Sequence, residues 1–250
     1  MPDINMANRQ VCDVDIRDYK TKKPIILIDT ANTTTAGLTS DNVYAMAKGS
    51  RRITFNNPLE GTMSIELQVY NFKTFSLFSD GTVDGSAIYA ETKTIKATTA
   101  GTLSITPEGS GTIQAGTVFV YPVASYGDDT AVIAGTFASG TFTATTASNI
   151  AVGSEYKVAY MVSRSANITK VAFNNKKLPK DYFITMSTLD KTEDGTYSPF
   201  LITAYKATIQ RNFELSFSSE GDPASITINF DLCEDADGNV LDITELESTN

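Results

Sequence analysis

Alternation with a period of two across residues 199–232 constrains what this chain can become more than any other stretch. Phe200, Ile202 and Ala204 alternate with Leu201, Thr203 and Tyr205. Phe213, Leu215 and Phe217 alternate with Glu214 and Ser216, and Ile226, Ile228, Phe230 and Leu232 alternate with Thr227, Asn229 and Asp231. A strand points successive side chains to opposite faces, so each set falls on one side of a sheet. The cluster Ser218-Ser219-Glu220-Gly221-Asp222-Pro223 has the composition of a turn and predicts a hairpin between the last two runs. Each large apolar residue of that hairpin contributes roughly 1.5–3 kcal/mol if fully buried. The stretch is expected to form three consecutive β-strands.

Composition removes several functional classes. The 250 residues are 41% apolar and 20% charged, which fits a globular chain of two domains or one large β domain. A net charge of −9 argues against electrostatic binding to DNA, RNA or an anionic membrane. There is no histidine, so His-based triads, general bases and metal sites are excluded. Cys12 and Cys233 are too few for a disulfide scaffold; two buried thiols, or one bridge between the first strand and the last, are the alternatives. No apolar run reaches the roughly 20 residues of a membrane-spanning helix. Residues 1–10 lack the apolar core of a secretion signal, so folding in a cytoplasm is expected.

Further strands are expected at residues 11–16 and 24–29, followed by a polar loop at 31–35. Thr39, Ser40 and Asp41 offer helix caps and Gly49 a stop, which predicts a two-turn helix around Val43, Tyr44, Ala45 and Met46. Residues 51–57 and 62–70 read as a hairpin across Asn57-Pro58-Leu59-Glu60-Gly61. Phe72, Phe75 and Phe78 recur at three-residue steps, as in a short helix with one aromatic face packed on a core.

From residue 97 to 154 only Glu108, Asp128 and Asp129 are charged, and Thr, Ser, Ala and Gly dominate. Short alternating runs at 102–106, 117–123, 131–134, 140–144 and 156–162 suggest a small β-sandwich of immunoglobulin-like architecture, although the Cys–Trp–Cys signature is absent. The aromatics Phe119, Tyr121, Tyr126, Phe137 and Phe142 favour a folded unit over a low-complexity linker. Strands follow at 168–173 and 182–188, and Asp190-Lys191-Thr192-Glu193-Asp194-Gly195 reads as a hairpin loop. The chain is therefore expected to be mainly β: one domain at 1–92 plus 164–250, interrupted by an inserted sandwich at 93–163. A loop tip tolerates such an insertion because the ends of a domain lie close together.

No arrangement of residues commits the chain to catalysis. Leu27-Ile28-Asp29-Thr30-Ala31 resembles the Asp-Thr-Gly of aspartic proteases, but that chemistry needs two carboxylates and here there is one copy with Ala31 in place of glycine. Asp235-Ala236-Asp237-Gly238-Asn239 resembles part of a calcium loop; the spacing puts Cys233 and Thr244 at the first and last ligand positions, so a tight turn accounts for it better. Asp190, Glu193 and Asp194 could be paired carboxylates for glycoside chemistry, yet their Lys- and Gly-containing loop suits solvated turn residues. No catalytic, cofactor-binding or metal-ligating residue is assigned, no cofactor is expected, and the chain is read as a non-enzyme.

Two segments together resemble bacteriophage tail tube proteins, the major tail protein family. One is Arg51-Arg52-Ile53-Thr54-Phe55, Gly61-Thr62-Met63-Ser64-Ile65 and the helix from Phe72 to Phe78; the other is Phe213-Glu214-Leu215-Ser216-Phe217, the Gly221-Asp222-Pro223 turn and the strand from Ile226 to Leu232 with Asp235-Ala236-Asp237-Gly238. The resemblance covers 1–90 and 164–250, and the Thr-rich insert resembles immunoglobulin-like modules of phage structural proteins. It implies a β-sandwich or barrel core with one or two short helices, self-association into six-membered rings, and stacking of rings into a tube, together with other tail proteins. DNA would pass without specific binding through an acidic lumen that repels the polyanion. It also implies a place in the virion, assembly in the host cytoplasm and no membrane partner. A capsid-decorating or host-surface-binding virion module is the alternative reading, because the insert departs from the minimal family pattern.

Overall fold

Residues 5–217, 219–221 and 223–246 are described by the computed structural model. The chain divides into two units, the first comprising residues up to Thr82 and from Phe173, the second Val83–Ala172. The first unit opens with β1 (Met6–Ala7), β2 (Asp13–Asp18), β3 (Pro24–Ile28), β4 (Ala31–Thr39), β5 (Asn42–Ala47), β6 (Ser50–Asn56), β7 (Glu60–Leu67) and a 3₁₀ helix (Phe72–Phe78). The second holds β8 (Ala87–Lys96), β9 (Thr102–Ser104), β10 (Thr112–Ile113), β11 (Phe119–Pro122), β12 (Gly135–Ala138), β13 (Thr141–Ala144) and β14 (Glu155–Arg164). The first unit then resumes with β15 (Asp181–Thr192), β16 (Tyr197–Ile209), β17 (Ile226–Cys233) and β18 (Leu241–Glu245).

The main sheet of the first unit runs β3-β2-β15-β16-β17-β7-β4, with β1 added to β15 and β18 to β16. Its outermost strands, β3 and β4, are consecutive in the chain and separated only by Asp29 and Thr30, so the sheet curls back on itself. No barrel closes: among the described residues β3 and β4 each have a single sheet neighbour. The alternation seen in the sequence sorts the two faces. Val14, Ile16, Tyr182, Ile184, Met186, Ile228, Phe230, Met63 and Ile65 are all buried on the inner one.

The 3₁₀ helix closes this core. Asn71 caps it by accepting from the Thr74 amide at 3.2 Å, and Phe75, Leu77 and Phe78 are buried beneath. The buried Tyr182 hydroxyl donates to the Leu77 carbonyl at 3.1 Å and ties the helix to β15.

Several local expectations give way to longer-range pairing. Residues 42–47 form no helix. Lys48 and Gly49 both have positive φ, 52° and 77°, and Ala47 pairs with Ser50, so a two-residue turn of the type that matches strand twist joins β5 to β6. The polar loop expected at 31–35 is strand β4, because its threonines favour extended backbone and the free edge of β7 supplies a partner. The second partner of β7 is β17, so residues 51–57 do not form a hairpin with it.

Residues 213–217 are not a strand either. The Phe213 ring sits 4.7 Å from Phe78, 5.3 Å from Phe173 and 5.9 Å from Phe75, and this aromatic cluster holds the segment off the sheet while Phe217 stays exposed. Of the turn expected after it, Ser218 and Asp222 lie outside the described residues, as do residues 247–250 of the acidic tail. At 168–173 there is a single bridge, Asp84 with Lys170, rather than a strand. At 131–134 the backbone leaves a 3₁₀ turn that the Asp128 side chain caps through the Thr130 amide.

In the second unit β8, β14, β11 and β10 make one sheet and β12, β13 and β9 another. Val120, Val158 and Tyr160 of the first and Leu103 and Phe142 of the second share one buried core. The unit is wider than the poorly charged stretch because β8 carries Glu91, Lys93 and Lys96 and β14 carries Lys157 and Arg164.

Phe230 is fully buried at the centre of the main sheet. Phe230→Ala should lower the unfolding free energy by about 3–5 kcal/mol, read as a shift of the urea midpoint. Burial, with the Asp18 and Asp181 carboxylates nearby, raises the Tyr182 phenol above its ordinary value of 10.0. The folded state thus holds this proton more tightly than the unfolded chain. That stabilisation is complete below about pH 10 and disappears as the pH rises further. Melting temperatures should fall above about pH 10, and Tyr182→Phe should remove part of that fall.

Candidate functional site

The carboxylates singled out by sequence are turn and strand-end groups. Asp29 is exposed at the end of β3, and Thr30 beside it donates its hydroxyl to the Val69 carbonyl at 2.8 Å. Asp190 is buried and accepts from the Asn8 amide at 2.7 Å. Glu193 accepts from the Asn5 amide at 2.9 Å, while Asp194 accepts from the Thr192 hydroxyl and from the Thr196 amide at 3.0 Å. Asp194 thus holds the β15–β16 turn, while Asp190 and Glu193 tie the N-terminal segment to β15 and its turn. Asp235 accepts from the backbone amides of Asn239 and Asp237, each at 2.9 Å, and these bonds, that of Asn239 first, hold its carboxyl below the usual range. Among the described residues no group of three or more Cys, Asp or Glu side chains is placed to hold a metal ion. Cys12 and Cys233 are both free and half-buried, so neither the buried-thiol nor the bridged alternative describes them.

The surface with the most organised chemistry is the outer face of the main sheet. Cross-strand register lines up Asp15, Thr185, Thr203 and Asp242 in one row, and Asp13, Ser187, Leu201 and Thr244 in the next. Farther along, Thr208, Asp231 and Thr62 form a row, followed by Asn229 with Ser64 and Thr35, and Thr227 with Glu66 and Thr33. This face is a field of hydroxyls, amides and carboxylates. Its cations are held by neighbours: Arg17 Nη2 lies 2.5 Å from Asp15 Oδ2, and Lys206 Nζ lies over the Tyr19 ring at 5.9 Å. Tyr205 donates its hydroxyl to Asp242.

The sheet also leaves unfinished margins. One side of β3 and one side of β4 have no strand partner among the described residues, and exposed Leu27 stands on β3. An unpaired edge is a ready acceptor for another chain. The β5–β6 hairpin forms a two-stranded sheet of its own, pairs with no other strand among the described residues, and exposes Val43, Met46, Ile53 and Phe55. Sequence reasoning missed this element by weighing Gly49 as a helix stop. Lys48-Gly49 flanked by alternating Val43/Ala45 and Ile53/Phe55 is the hairpin signal that could have found it.

Free edges, an exposed apolar hairpin and a polar sheet face are surfaces suited to contact with other chains. No curated protein matches the sequence. The model of the YomU/Tube protein family matches residues 9–243, which spans both units. The chain belongs to the YomU/Tube protein family, a phage tail tube family, in keeping with the tail tube resemblance carried by its strand and turn motifs.

Proposed function

We propose that this chain is the structural subunit of a phage tail tube, in which six copies form a ring, rings stack, and DNA passes through a bore lined by the outer face of the main sheet. The family supports a structural role in the virion, with self-association and other tail proteins as partners. The composition of that sheet face carries the finer reading. Duplex DNA bears one negative charge per roughly 1.7 Å of axis, and proteins grip it by neutralising phosphates with Lys and Arg. On this wall Thr, Ser, Asn and the carboxylates of Asp13, Asp231, Asp242 and Glu66 outnumber the cations, and Arg17 is already paired with Asp15, so phosphates find little to grip. Carboxylates repel the passing polyanion, and the neutral hydroxyls keep the wall wet without holding it.

The open margins of β3 and β4 are where neighbouring copies complete the sheet around the ring. The second unit is read as an immunoglobulin-like module. Assembly takes place in the host cytoplasm, and no chemistry is performed.

Two outcomes test this reading. Concentrated protein, alone or with its neighbouring tail proteins, should give six-fold rings or hollow fibres in negative-stain images; a species that stays monomeric at every concentration overturns it. Assembled tubes carrying Thr62→Lys, Thr227→Lys and Thr244→Lys should retain duplex DNA with a salt slope steepened by about 0.9 per phosphate engaged, while the unaltered tube retains none. Equal retention by both tubes would remove this face from the bore.

A further inference from the structure

We propose that one sheet face of the second unit binds a neutral polysaccharide, whose sugar rings lie on Phe119, Tyr121 and Tyr126. The site falls wholly within Val83–Ala172, so it does not depend on ring formation by the first unit.

Strand periodicity builds the platform. Val120, Val158 and Tyr160 turn into the core of this unit, which turns Phe119, Tyr121, Lys157 and Ala159 to the opposite face. In register, Phe119, Ala159 and Thr92 make one row, and Tyr121, Lys157 and Thr94 make the next. Tyr126 follows β11 and folds back over these rows. Its ring meets that of Tyr121 edge to face at 5.4 Å, Lys157 Nζ lies over it at 4.7 Å, and its hydroxyl is 3.3 Å from the Thr92 hydroxyl. Contacts from β11, β14 and β8 thus hold in one orientation a ring that is still 45% exposed, beside Phe119 at 49%.

The chemistry of this face matches a sugar. An aromatic ring is negative over its faces, and the axial C–H groups of a pyranose present the complementary positive side, so the two stack. The hydroxyls of Thr92, Thr94 and Tyr126 each donate and accept, which is what the rim of sugar hydroxyls requires.

Charge and area select against other occupants. Lys157 is engaged by Tyr126, and Lys96 stands opposite Glu155 at the end of the face, which leaves the face close to neutral. Single-stranded nucleic acid also stacks on aromatics, but it needs a run of cations along its backbone. Half-exposed aromatic rings present about 100 Å² each, so the three together fall well short of the roughly 800 Å² per partner of a specific protein interface. Exposed Ile88 stands two rows beyond Thr92 and does not extend the platform. A short run of sugar rings covers what remains.

The test uses the full chain, unaltered and as Tyr121→Ala/Tyr126→Ala, with circular dichroism to establish that both are folded. Native gels are cast with dextran, a soluble β-1,4-glucan, a galactomannan, anionic polygalacturonate or no polymer, and calorimetry with the matching oligosaccharides measures affinity across a salt series. At least one neutral polymer should retard the unaltered chain, with an affinity that does not change as salt rises. The double variant should bind that sugar weaker by about tenfold or more. Where the double variant does not fold, Tyr126→Ala alone carries the same expectation, since it removes a half-exposed side chain. Retardation by no neutral polymer overturns the inference, as does equal binding by the variant. Binding only to polygalacturonate or to oligo-dT, lost as salt rises, also overturns it and assigns the face to polyanions. Tube assembly weakened by the variant, with no sugar bound, overturns it in favour of a protein contact and leaves the tube reading standing.

Discussion

A β-sheet satisfies the backbone groups of its interior strands and leaves those of its outermost strands open, and this asymmetry governs the first unit. Its main sheet runs from β3 to β4 through five intervening strands, yet the ends stop short of each other at Asp29 and Thr30. A closed barrel would have consumed those edges. Soluble proteins usually blunt an open edge with charge, proline or a bulge. Here β3 begins at Pro24 but carries exposed Leu27, and β4 presents threonines and asparagine, residues well suited to further pairing. In the tube proposed above, neighbouring copies supply to one another what these edges lack.

The same strands have faces of opposite character. Their inner residues pack Ile, Val, Met, Phe and Tyr beneath the capped 3₁₀ helix, and that packing makes the sheet rigid enough to present its outer residues in rows. Because the side-chain period is two, a strand committed to a buried face on one side is committed on the other as well. The outer rows of hydroxyls and carboxylates are therefore held in place by the core. The chain's acidic balance becomes a local property: carboxylates spread over the polar sheet face, while Lys48, Arg51 and Arg52 sit together on a hairpin that owns no carboxylate.

Much of this fold could be read from residues. Alternation located β2, β7, β15, β16 and β17, a short apolar run located β3, the aromatic spacing located the 3₁₀ helix, and the loop after Asp190 was recognisable as the β15–β16 connection. Failures came where two local signals conflicted. At residues 42–49 a Gly read as a helix stop competed with a Lys-Gly hairpin turn, and at 31–35 threonine polarity suggested a loop although threonine also favours strands. At 213–217 the alternation was present, but the attraction of Phe213 for Phe75, Phe78 and Phe173 prevailed over it.

The amino-acid order by itself determined that the chain is mainly β, which side of each long strand is apolar, and that histidine and clustered cysteine chemistry have no part in it. Only tertiary structure decided which strands are neighbours, which edges stay open and where the hairpin stands. Those outcomes depend on contacts between residues far apart in the chain, such as β2 with β15 and β7 with β17, and no local window contains them. Side-chain periodicity is a property of one strand, whereas an edge exists only once every other strand has chosen its place.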